Sequence, residues 1–505
     1  MFVIYNARCG VIIAIGLLLY TYIHMKFNLS TKIHSLGVIS FLTGFALMAY
    51  ELVAARLLAP TIGSSIYVWT SVIGIIIASL SIGYWLGGKL ADARQRPIDV
   101  ALLCLITAAC VILTMFAHPS VLEWVATSIE DTRAQGIVAS LFLFAPTSFA
   151  LGLISPYLAK LNIKELKTAG ESVANLSALN SIGGIVGTFV TGFVLFSYIG
   201  SKETLIIVVL CLILSSWLIV PKRFPIQRII ISGVLIVVML VPAPAKAGVL
   251  AQIDSPSAHY TIADMNYGGK PITALATGPG GIQSAVYTDG SDNLVFWYTN
   301  YASKVIEAKN PERVLVLGGG AFTLPAALAI SLPNATIDAV EIDPALKGIS
   351  KEYFSYEDHE NVNLIFQDAR AYVNTNENKY DVIFVDVYGD SYVPFSLLTK
   401  EYGEQINRLL NPNGMVVVNA IVGQTAECRE LLSAIDTVYR PFLPNAFWET
   451  RSGVELARGN YILAYGHESS VPLSMKPLSR AAGNAYKDNF MPAERLHYQC
   501  AQSVR

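Results

Sequence analysis

The sequence predicts a multi-span α-helical membrane domain followed by a soluble α/β domain with a parallel sheet. Of 505 residues, 53% are hydrophobic and only 14% are charged, and the mean hydropathy is +0.49, which is too apolar for an ordinary soluble protein. Long apolar runs fill the first half, whereas most Asp, Glu and Asn residues lie beyond Ala251. After residue 313, short apolar runs alternate with helical patterns, which is typical of βαβ units.

Eight apolar stretches reach, or nearly reach, the roughly 20 residues that a helix needs to cross a bilayer. They are residues 9–25, 36–58, 66–88, 98–117, 136–159, 173–200, 204–220 and 229–245. Lys and Arg concentrate in alternate loops, as the positive-inside rule predicts for cytoplasmic loops. We therefore expect residues 1–248 to form a transmembrane domain of about eight helices. Gly83/Gly87 and Gly183/Gly187 have a spacing that lets two helices pack closely.

Short alternating runs separated by glycine-rich turns follow from His259 to Tyr287. This pattern predicts strands joined by tight turns, so we expect a β-hairpin subdomain over residues 249–300.

The run Arg313-Val-Leu-Val-Leu-Gly318-Gly319-Gly320 predicts a buried strand, a glycine turn and the start of a helix. Residues 336–341 form the next predicted strand. The alternation continues with helix 344–353, strand 363–366, helix 368–374, strand 381–386, helix 396–410 and strand 414–419. We expect residues 301–505 to form a Rossmann-like nucleoside-binding domain with its ligands at the carboxyl ends of the strands.

Polar residues fall at those predicted strand ends. Glu341, 23 residues after Gly318, is placed to accept hydrogen bonds from ribose hydroxyls, although the glycines by themselves could form only a tight turn. Asp368 could meet an adenine amino group and could equally cap the next helix. Asp386 ends the fourth strand, where a carboxylate can deprotonate or hold an amine nucleophile; the alternative is a solvated strand end.

Charge and cysteine content exclude several functions. A net charge of -2 and a pI near 6.4 argue against a nucleic-acid partner. The six cysteines show no metal-binding spacing. Cys428 and Cys500 are the two in the polar half, and they could form a disulfide if that half faces an oxidising compartment.

Together these motifs resemble the spermidine synthase (polyamine aminopropyltransferase) family, most closely its membrane-fused bacterial branch. The resemblance is carried by residues 313–320, 339–343, 367–369 and 386–410, and in the membrane half by 41–51, 55–60 and 87–92.

The resemblance implies a class I methyltransferase-type Rossmann-like fold and transfer of an aminopropyl group from decarboxylated S-adenosylmethionine to a diamine such as putrescine, without a metal. The residues implied to bind the nucleoside are Gly318, Gly319, Gly320, Glu341, Asp368 and Ala369. Asp386 would serve the attacking amine, while Gln283, Tyr298 and Asp390 would bind the acceptor. The implied partners are the diamine and the lipid bilayer, and the chain is compatible with a homo-oligomer.

The sequence departs from the soluble members of the family on the acceptor side. Ala321 stands where their glycine loop carries an acid. Of their hairpin motif, only Tyr298 is kept, and one extra residue separates Asp386 from Asp390. Recognition of the adenosylmethionine-type donor is therefore expected to be better kept than recognition of the diamine.

Two other functions fit the same sequence. One is an S-adenosylmethionine-dependent methyltransferase, since both reactions use this fold. The other is a transporter or sensor that binds a polyamine or nucleoside without turnover, for which Glu51 and Arg56 in the second apolar stretch would matter. The basic loops place the soluble domain outside the cytoplasm if residues 229–245 cross the membrane, and inside if they do not.

Overall fold

The structure is a computed structural model that describes most of the chain. The described residues are 31–163, 169–219, 225–239, 241, 248–255, 257–278, 281–387, 393–451, 456–467, 473, 475–479 and 485–503. The predicted span at 9–25 and the predicted acceptor residue Asp390 lie outside them. The chain divides into two compact units, residues 1–244 with 254–256, and residues 245–253 with 257–505.

The first unit is helical. Its described helices are α1 (Thr31–Ile62), α2 (Ile66–Ala93), α3 (Pro97–Ser128), α4 (Thr132–Leu143), α5 (Ala145–Asn162), α6 (Ala169–Val190), α7 (Ser201–Ile219) and α8 (Pro225–Met239). A π-helical turn at Thr191–Leu195 and a last turn at Phe196–Tyr198 extend α6. Five of the described helices are long and apolar enough to cross a membrane, or six if α4 and α5 form one span.

Two of the predicted spans differ in shape from the expectation. The stretch 136–159 is broken into α4 and α5, which meet at 52°. Pro146 lies in the first turn of α5 and has no amide hydrogen to continue the helical ladder, which accounts for the bend. Helix α8 has 15 residues, about 22 Å of helix, and is shorter than the roughly 30 Å apolar layer of a bilayer.

Glycines bring pairs of helices into close contact, as their spacing predicts. A Cβ added at Gly87 of α2 would lie 2.7 Å from the carbonyl oxygen of Leu153 in α5. A Cβ added at Gly187 of α6 would lie 2.7 Å from that of Phe45 in α1. These positions therefore exclude any side chain, and the packing interpretation of both glycine pairs is confirmed.

The second unit begins with a four-stranded antiparallel sheet in the order β1-β2-β3-β4. Its strands are β1 (Val249–Asp254), β2 (His259–Tyr267), β3 (Lys270–Gly278) and β4 (Gly281–Tyr287). The expected tight turns between these strands are present, but the subdomain is a four-stranded sheet, whereas a β-hairpin was expected. β1 is an additional strand, and its short six-residue run gave too weak an alternation to predict it.

An eight-stranded sheet follows, in the order β12-β10-β11-β9-β8-β5-β6-β7. Its strands are β5 (Arg313–Leu317), β6 (Thr336–Glu341), β7 (Val362–Phe366), β8 (Tyr380–Val385), β9 (Leu410–Val422), β10 (Asn445–Thr450), β11 (Gly459–Gly466) and β12 (Lys476–Pro477). The five strands from β5 to β9 are parallel, whereas β10, β11 and β12 pair antiparallel. This is the predicted Rossmann-like arrangement with an antiparallel extension.

Helices of the second unit cover both faces of the parallel strands. They are α9 (Trp297–Ala308), α10 (Thr323–Ser331), α11 (Ala345–Tyr353), α12 (Ala369–Thr375), α13 (Lys400–Leu409), α14 (Ala426–Tyr439) and α15 (Ala493–Gln502). Along β5, Leu315 and Leu317 enter one apolar core while Val314 and Val316 enter the other. All four side chains are fully buried, each contributing about 1.5–3 kcal/mol of hydrophobic stabilisation.

The C-terminal helix α15 is covalently attached to α14. Cys428 of α14 and Cys500 of α15 form a disulfide with their Cα atoms 4.3 Å apart, and both side chains are buried. The structure therefore pairs the two cysteines for which the sequence left a disulfide open. Disulfides persist in oxidising compartments, so the bond bears on which side of a membrane this unit occupies.

Replacing both Cys428 and Cys500 with Ala should lower the free energy of unfolding by about 2–5 kcal/mol, because the crosslink closes a 72-residue separation and restricts the unfolded chain. Denaturant unfolding without reductant measures the effect, and the unmutated protein in reductant is the control. Equal stability of the two proteins without reductant would show that the bond does not form in the purified protein.

Candidate functional site

The residues predicted to bind the nucleoside, together with Asp386, lie at the carboxyl ends of the parallel strands. The chain runs outward from β5 through β6 to β7 and then returns to build β8 and β9 on the other side of β5. A crevice at such a reversal is the usual ligand position in an open α/β sheet. The glycine loop after β5 and Asp386 after β8 flank this point, since β5 and β8 are paired neighbours.

Gly318 is required by the close passage of these two segments. Its φ is +95°, and a Cβ there would collide with the carbonyl oxygen of Asp386. The amide of Asp386 also donates to the carbonyl oxygen of Leu317 at 2.9 Å. The start of the loop and the residue after β8 are thus held together through their backbones.

Glu341, at the end of β6, is bound by the glycine loop. Its Oε2 accepts hydrogen bonds from the amides of Gly319 and Gly320, both at 3.0 Å, and its Oε1 accepts one from the amide of Asp343 at 3.1 Å. Burial raises the pKa of Glu341 above its usual value, although these amides oppose the rise. The amide of Ile342 also stabilises the charged carboxylate, so a ligand hydroxyl would share Oε1 with the amides around it.

The loop closes on an unexpected residue, Phe322, which caps α10 in the left-handed conformation with φ +55°. Its ring is fully buried beneath Gly319 and packs 5.5 Å from the ring of Tyr356. A non-glycine residue in this conformation costs about 1–3 kcal/mol, and burial of the ring offsets that cost. This role could not be predicted, because Phe322 looks like an ordinary apolar residue at the start of a helix.

Two exposed apolar side chains stand at neighbouring strand ends. Ile342 follows β6 and is 57% exposed, and Phe366 ends β7 and is 38% exposed. Large apolar groups exposed beside a glycine loop suit the faces of a flat base. Asp368, which is exposed, caps α12 by accepting from the amide of Ala371 at 2.9 Å, and Ala369 begins that helix. The predicted capping role of Asp368 is therefore present, and its remaining acceptor positions stay open to a ligand.

Asp386 follows β8 on the other side of the loop. Its Oδ1 accepts a hydrogen bond at 2.8 Å from Nδ2 of Asn419, which lies on the adjacent strand β9. Burial raises the pKa of Asp386 to about 6, although the bond from Asn419 opposes the rise. A carboxylate with this pKa is charged at neutral pH and is well matched to accept a proton there.

The predicted acceptor residues are only partly assembled. Gln283 of β4 donates from Nε2 to Oγ1 of Thr277 at 2.6 Å. Tyr298 was expected on the hairpin but lies in the first turn of α9, with its hydroxyl 3.5 Å from the carbonyl oxygen of Gln283. The helix begins at Trp297, directly after the buried side chains of Val295 and Phe296. Asp390 cannot be placed with them, since it is outside the described residues.

A hydroxyl of the four-stranded sheet completes the glycine loop. Oγ of Ser284 accepts a hydrogen bond from the amide of Ala321 at 3.0 Å. Position 321 is where the family resemblance leads one to expect an acidic side chain. The described residues contain no group of three or more His, Cys, Asp or Glu side chains that could hold a metal ion. The arrangement joins a nucleoside-type cradle to a buried carboxylate across one strand pair.

Gly318→Ala should lower the free energy of unfolding by about 2 kcal/mol or more, since it combines a positive φ with a backbone collision at Asp386. Denaturant unfolding measures the change. Gly348→Ala is the matched control because nothing lies within 4 Å of an added Cβ in this helical position, and it should stabilise by about 0.5–1 kcal/mol. Unchanged stability of Gly318→Ala would contradict the close passage.

A family model matches the part of the chain that contains most of this site. The model of the spermine/spermidine synthase domain matches residues 302–449, which include the glycine loop, Glu341, Asp368, Asp386 and Asn419. Tyr298 and Gln283 lie before the matched segment.

Curated relatives match about a quarter of the chain. A polyamine aminopropyltransferase of Vibrio vulnificus is 32% identical over 143 residues, covering 27% of this chain and 48% of that protein. An eEF1A lysine and N-terminal methyltransferase of Xenopus laevis is 26% identical over 136 residues, covering 25% of this chain and 20% of that protein. The chain thus spans about half the length, or less, of these relatives.

A solved structure of a probable spermidine synthase from Corynebacterium glutamicum covers 49% of this chain and 99% of its own, with 20% identity and a TM-score of 0.40. The fold follows from the strand order described above and does not depend on this likeness. Homologues named as polyamine aminopropyltransferases belong to a transferase family, and the matched residues are those that build the site. Residues 302–449 of the second unit therefore match the spermine/spermidine synthase domain, and the candidate site lies within this matched segment.

Proposed function

We propose that the chain transfers an aminopropyl group from decarboxylated S-adenosylmethionine to a diamine such as putrescine. The single observation that carries this proposal is the meeting of the glycine loop, held by Glu341, with the buried carboxylate of Asp386 at the β5/β8 reversal. A nucleoside cradle and a proton acceptor are thus adjacent within the matched domain.

The nucleoside side of the site supports an adenosylmethionine-type donor. Glu341 can share Oε1 with a ribose hydroxyl, and Ile342 and Phe366 offer apolar surface for the base. Asp368 lies exposed at the next strand end, where its carboxylate can accept a hydrogen bond from the amino group of adenine. A second hydroxyl contact to Glu341 would require the carboxylate to release one loop amide.

The chemistry asked of Asp386 is modest. An uncharged amine nitrogen of the acceptor attacks the propyl carbon bonded to sulfur. The new C–N bond forms as the C–S bond breaks, and the electron pair of that bond stays on sulfur, so methylthioadenosine leaves as a neutral thioether. The acceptor nitrogen reaches its uncharged state by giving an ammonium proton to the carboxylate of Asp386, whose pKa of about 6 lets it release that proton near neutrality. The product nitrogen keeps a positive charge as a secondary ammonium.

The acceptor side is the more distinctive half. Asp386 supplies an anion for one ammonium group. Gln283, which was also predicted to bind the acceptor, lies on β4 of the same unit. A dicationic acceptor needs a second anion, since a cation in a partly buried site requires a partner. We assign that role to Asp390 from the sequence, four residues beyond Asp386.

We propose further that the protein is a multi-pass protein of the bacterial inner membrane. The five described helices long enough to cross a bilayer support this location, as does the alternation of basic loops between them. The lipid bilayer is then the partner of the first unit.

Purified full-length protein in detergent should form methylthioadenosine and an aminopropylated amine when given decarboxylated S-adenosylmethionine and putrescine. Asp386→Asn should lower kcat by roughly 100-fold or more, the usual contribution of a positioned general base. Glu341→Gln should chiefly raise KM for the donor, because it weakens the loop and the ribose contact. Mass spectrometry of both products gives the rates.

Asp289→Asn and Glu360→Gln are matched controls at exposed positions and should behave as the unmutated protein does. Methyl transfer from S-adenosylmethionine, with no aminopropyl product, would replace the proposal by the methyltransferase function. Ligand binding without any product, together with polyamine flux in vesicles that is lost in Glu51→Gln, would favour a transporter.

A further inference from the structure

Two asparagine side chains link Asp386 by hydrogen bonds to the next strands of the sheet. Nδ2 of Asn419 donates to Oδ1 of Asp386 at 2.8 Å, and Nδ2 of Asn460 donates to Oδ1 of Asn419 at 3.0 Å. The three side chains come from the end of β8, from β9 and from β11, which are consecutive strands of the eight-stranded sheet. They form a chain of two hydrogen bonds that ends at the candidate proton acceptor.

The second bond determines the direction of the first. An asparagine side chain has a donating and an accepting end, and either can face a partner. Because Asn460 donates to the carbonyl end of Asn419, the amide end of Asn419 must face Asp386. Asn419 is only 4% exposed, so solvent does not compete strongly for its bonds.

The bond also selects one oxygen of the carboxylate. Oδ1 of Asp386 is engaged by Asn419, while no other hydrogen bond to this carboxylate is present among the described residues. Since Asn419 occupies Oδ1, Oδ2 of Asp386 is the oxygen that the described hydrogen bonds leave for a ligand. An amide donor stabilises the charged form of a carboxylate, which is the form able to take a proton.

We propose that Asn419, oriented by Asn460, is a positioning residue that keeps the carboxylate of Asp386 charged and aimed at the acceptor amine. This inference rests on the proposed function for its catalytic consequence. The effect on the carboxylate itself is independent of turnover, and the two can be measured separately.

Burial is the main reason that the pKa of Asp386 is high, and Asn419 is the group that restrains it. No charged side chain among the described residues contributes to this balance. Without the amide donor, the charged carboxylate would lose a hydrogen bond in a partly desolvated place. The pKa should therefore rise further, and a larger share of Asp386 should be protonated at neutral pH.

The same two strands carry a matched control at their opposite end. There, Nδ2 of Asn411 on β9 donates to Oδ1 of Asp381 on β8 at 2.6 Å. Burial raises the pKa of Asp381, but the bond from Asn411 and the amides of Arg313 and Glu312 outweigh it and lower the pKa below its usual value. Asn411→Leu therefore removes an equivalent Asn–Asp bond far along the strands from the site.

The test is infrared titration of the full-length protein in detergent, labelled with heavy-isotope carbon at the aspartate carboxyls. The signal missing in Asp386→Asn identifies Asp386. Its midpoint should lie near pH 6 in the unmutated protein and rise by roughly one pH unit, a tenfold change in proton affinity, in Asn419→Leu. Asn419→Asp, which keeps the shape but replaces the amide by a like charge, should raise it as well. Asn411→Leu should leave it unchanged.

The pH dependence of kcat/KM provides the second measurement. The acid limb of the unmutated protein should follow the Asp386 midpoint, because the carboxylate must be charged, and it should move to higher pH in Asn419→Leu with it. An Asp386 midpoint that stays in place in both Asn419 variants overturns the inference, whether or not aminopropyl transfer occurs. A raised midpoint in a protein without transferase activity supports the positioning role and rejects the proposed function instead.

Discussion

The close passage of Gly318 against the backbone of Asp386 is the constraint on which the candidate site depends. It brings the loop after β5 and the residue after β8 to one place, and there is no room between them for a side chain at position 318. The rest follows from this passage. The loop amides turn toward β6 and bind Glu341, and Asp386 is left facing the same crevice from the other side. Main-chain packing thus makes the glycine loop, the proposed nucleoside site, adjacent to Asp386, the proposed proton acceptor.

The two halves of the site are stabilised in different ways. The nucleoside half is rigid through backbone amides and the buried ring of Phe322, so its shape depends little on exposed side chains. The amine half depends on side-chain hydrogen bonds that pass through Asn419 to Asn460 in the antiparallel part of the sheet. The antiparallel strands β10 to β12 therefore complete the edge of the sheet and also contribute, through Asn460, to the proposed positioning of Asp386.

Much of the architecture could be predicted from the sequence, because its signals are strong and local. Fully apolar strands such as β5, the glycine loop and the acidic strand ends all predict a parallel sheet with its site at one edge. Features that depend on contacts distant in the chain could not be predicted. Asn419 interrupts the apolar run Met415–Val422 of β9, and only the fold brings it to Asp386 and Asn460. Glu341 looked free for ribose, yet three backbone amides already bind it. Tyr298 was named through the family motif alone, and the start of α9 at Trp297 was not among the predicted helices.

Calorimetric titration of the purified full-length protein tests the central claim most directly, with decarboxylated S-adenosylmethionine, S-adenosylmethionine and methylthioadenosine as separate ligands. Because the described site offers a nucleoside cradle beside the carboxylate of Asp386, an added carboxylate on the ligand should be disfavoured. We predict tighter binding of the decarboxylated donor than of S-adenosylmethionine, and measurable binding of methylthioadenosine. Preference for S-adenosylmethionine, or no binding of any of the three by folded protein, would contradict the account.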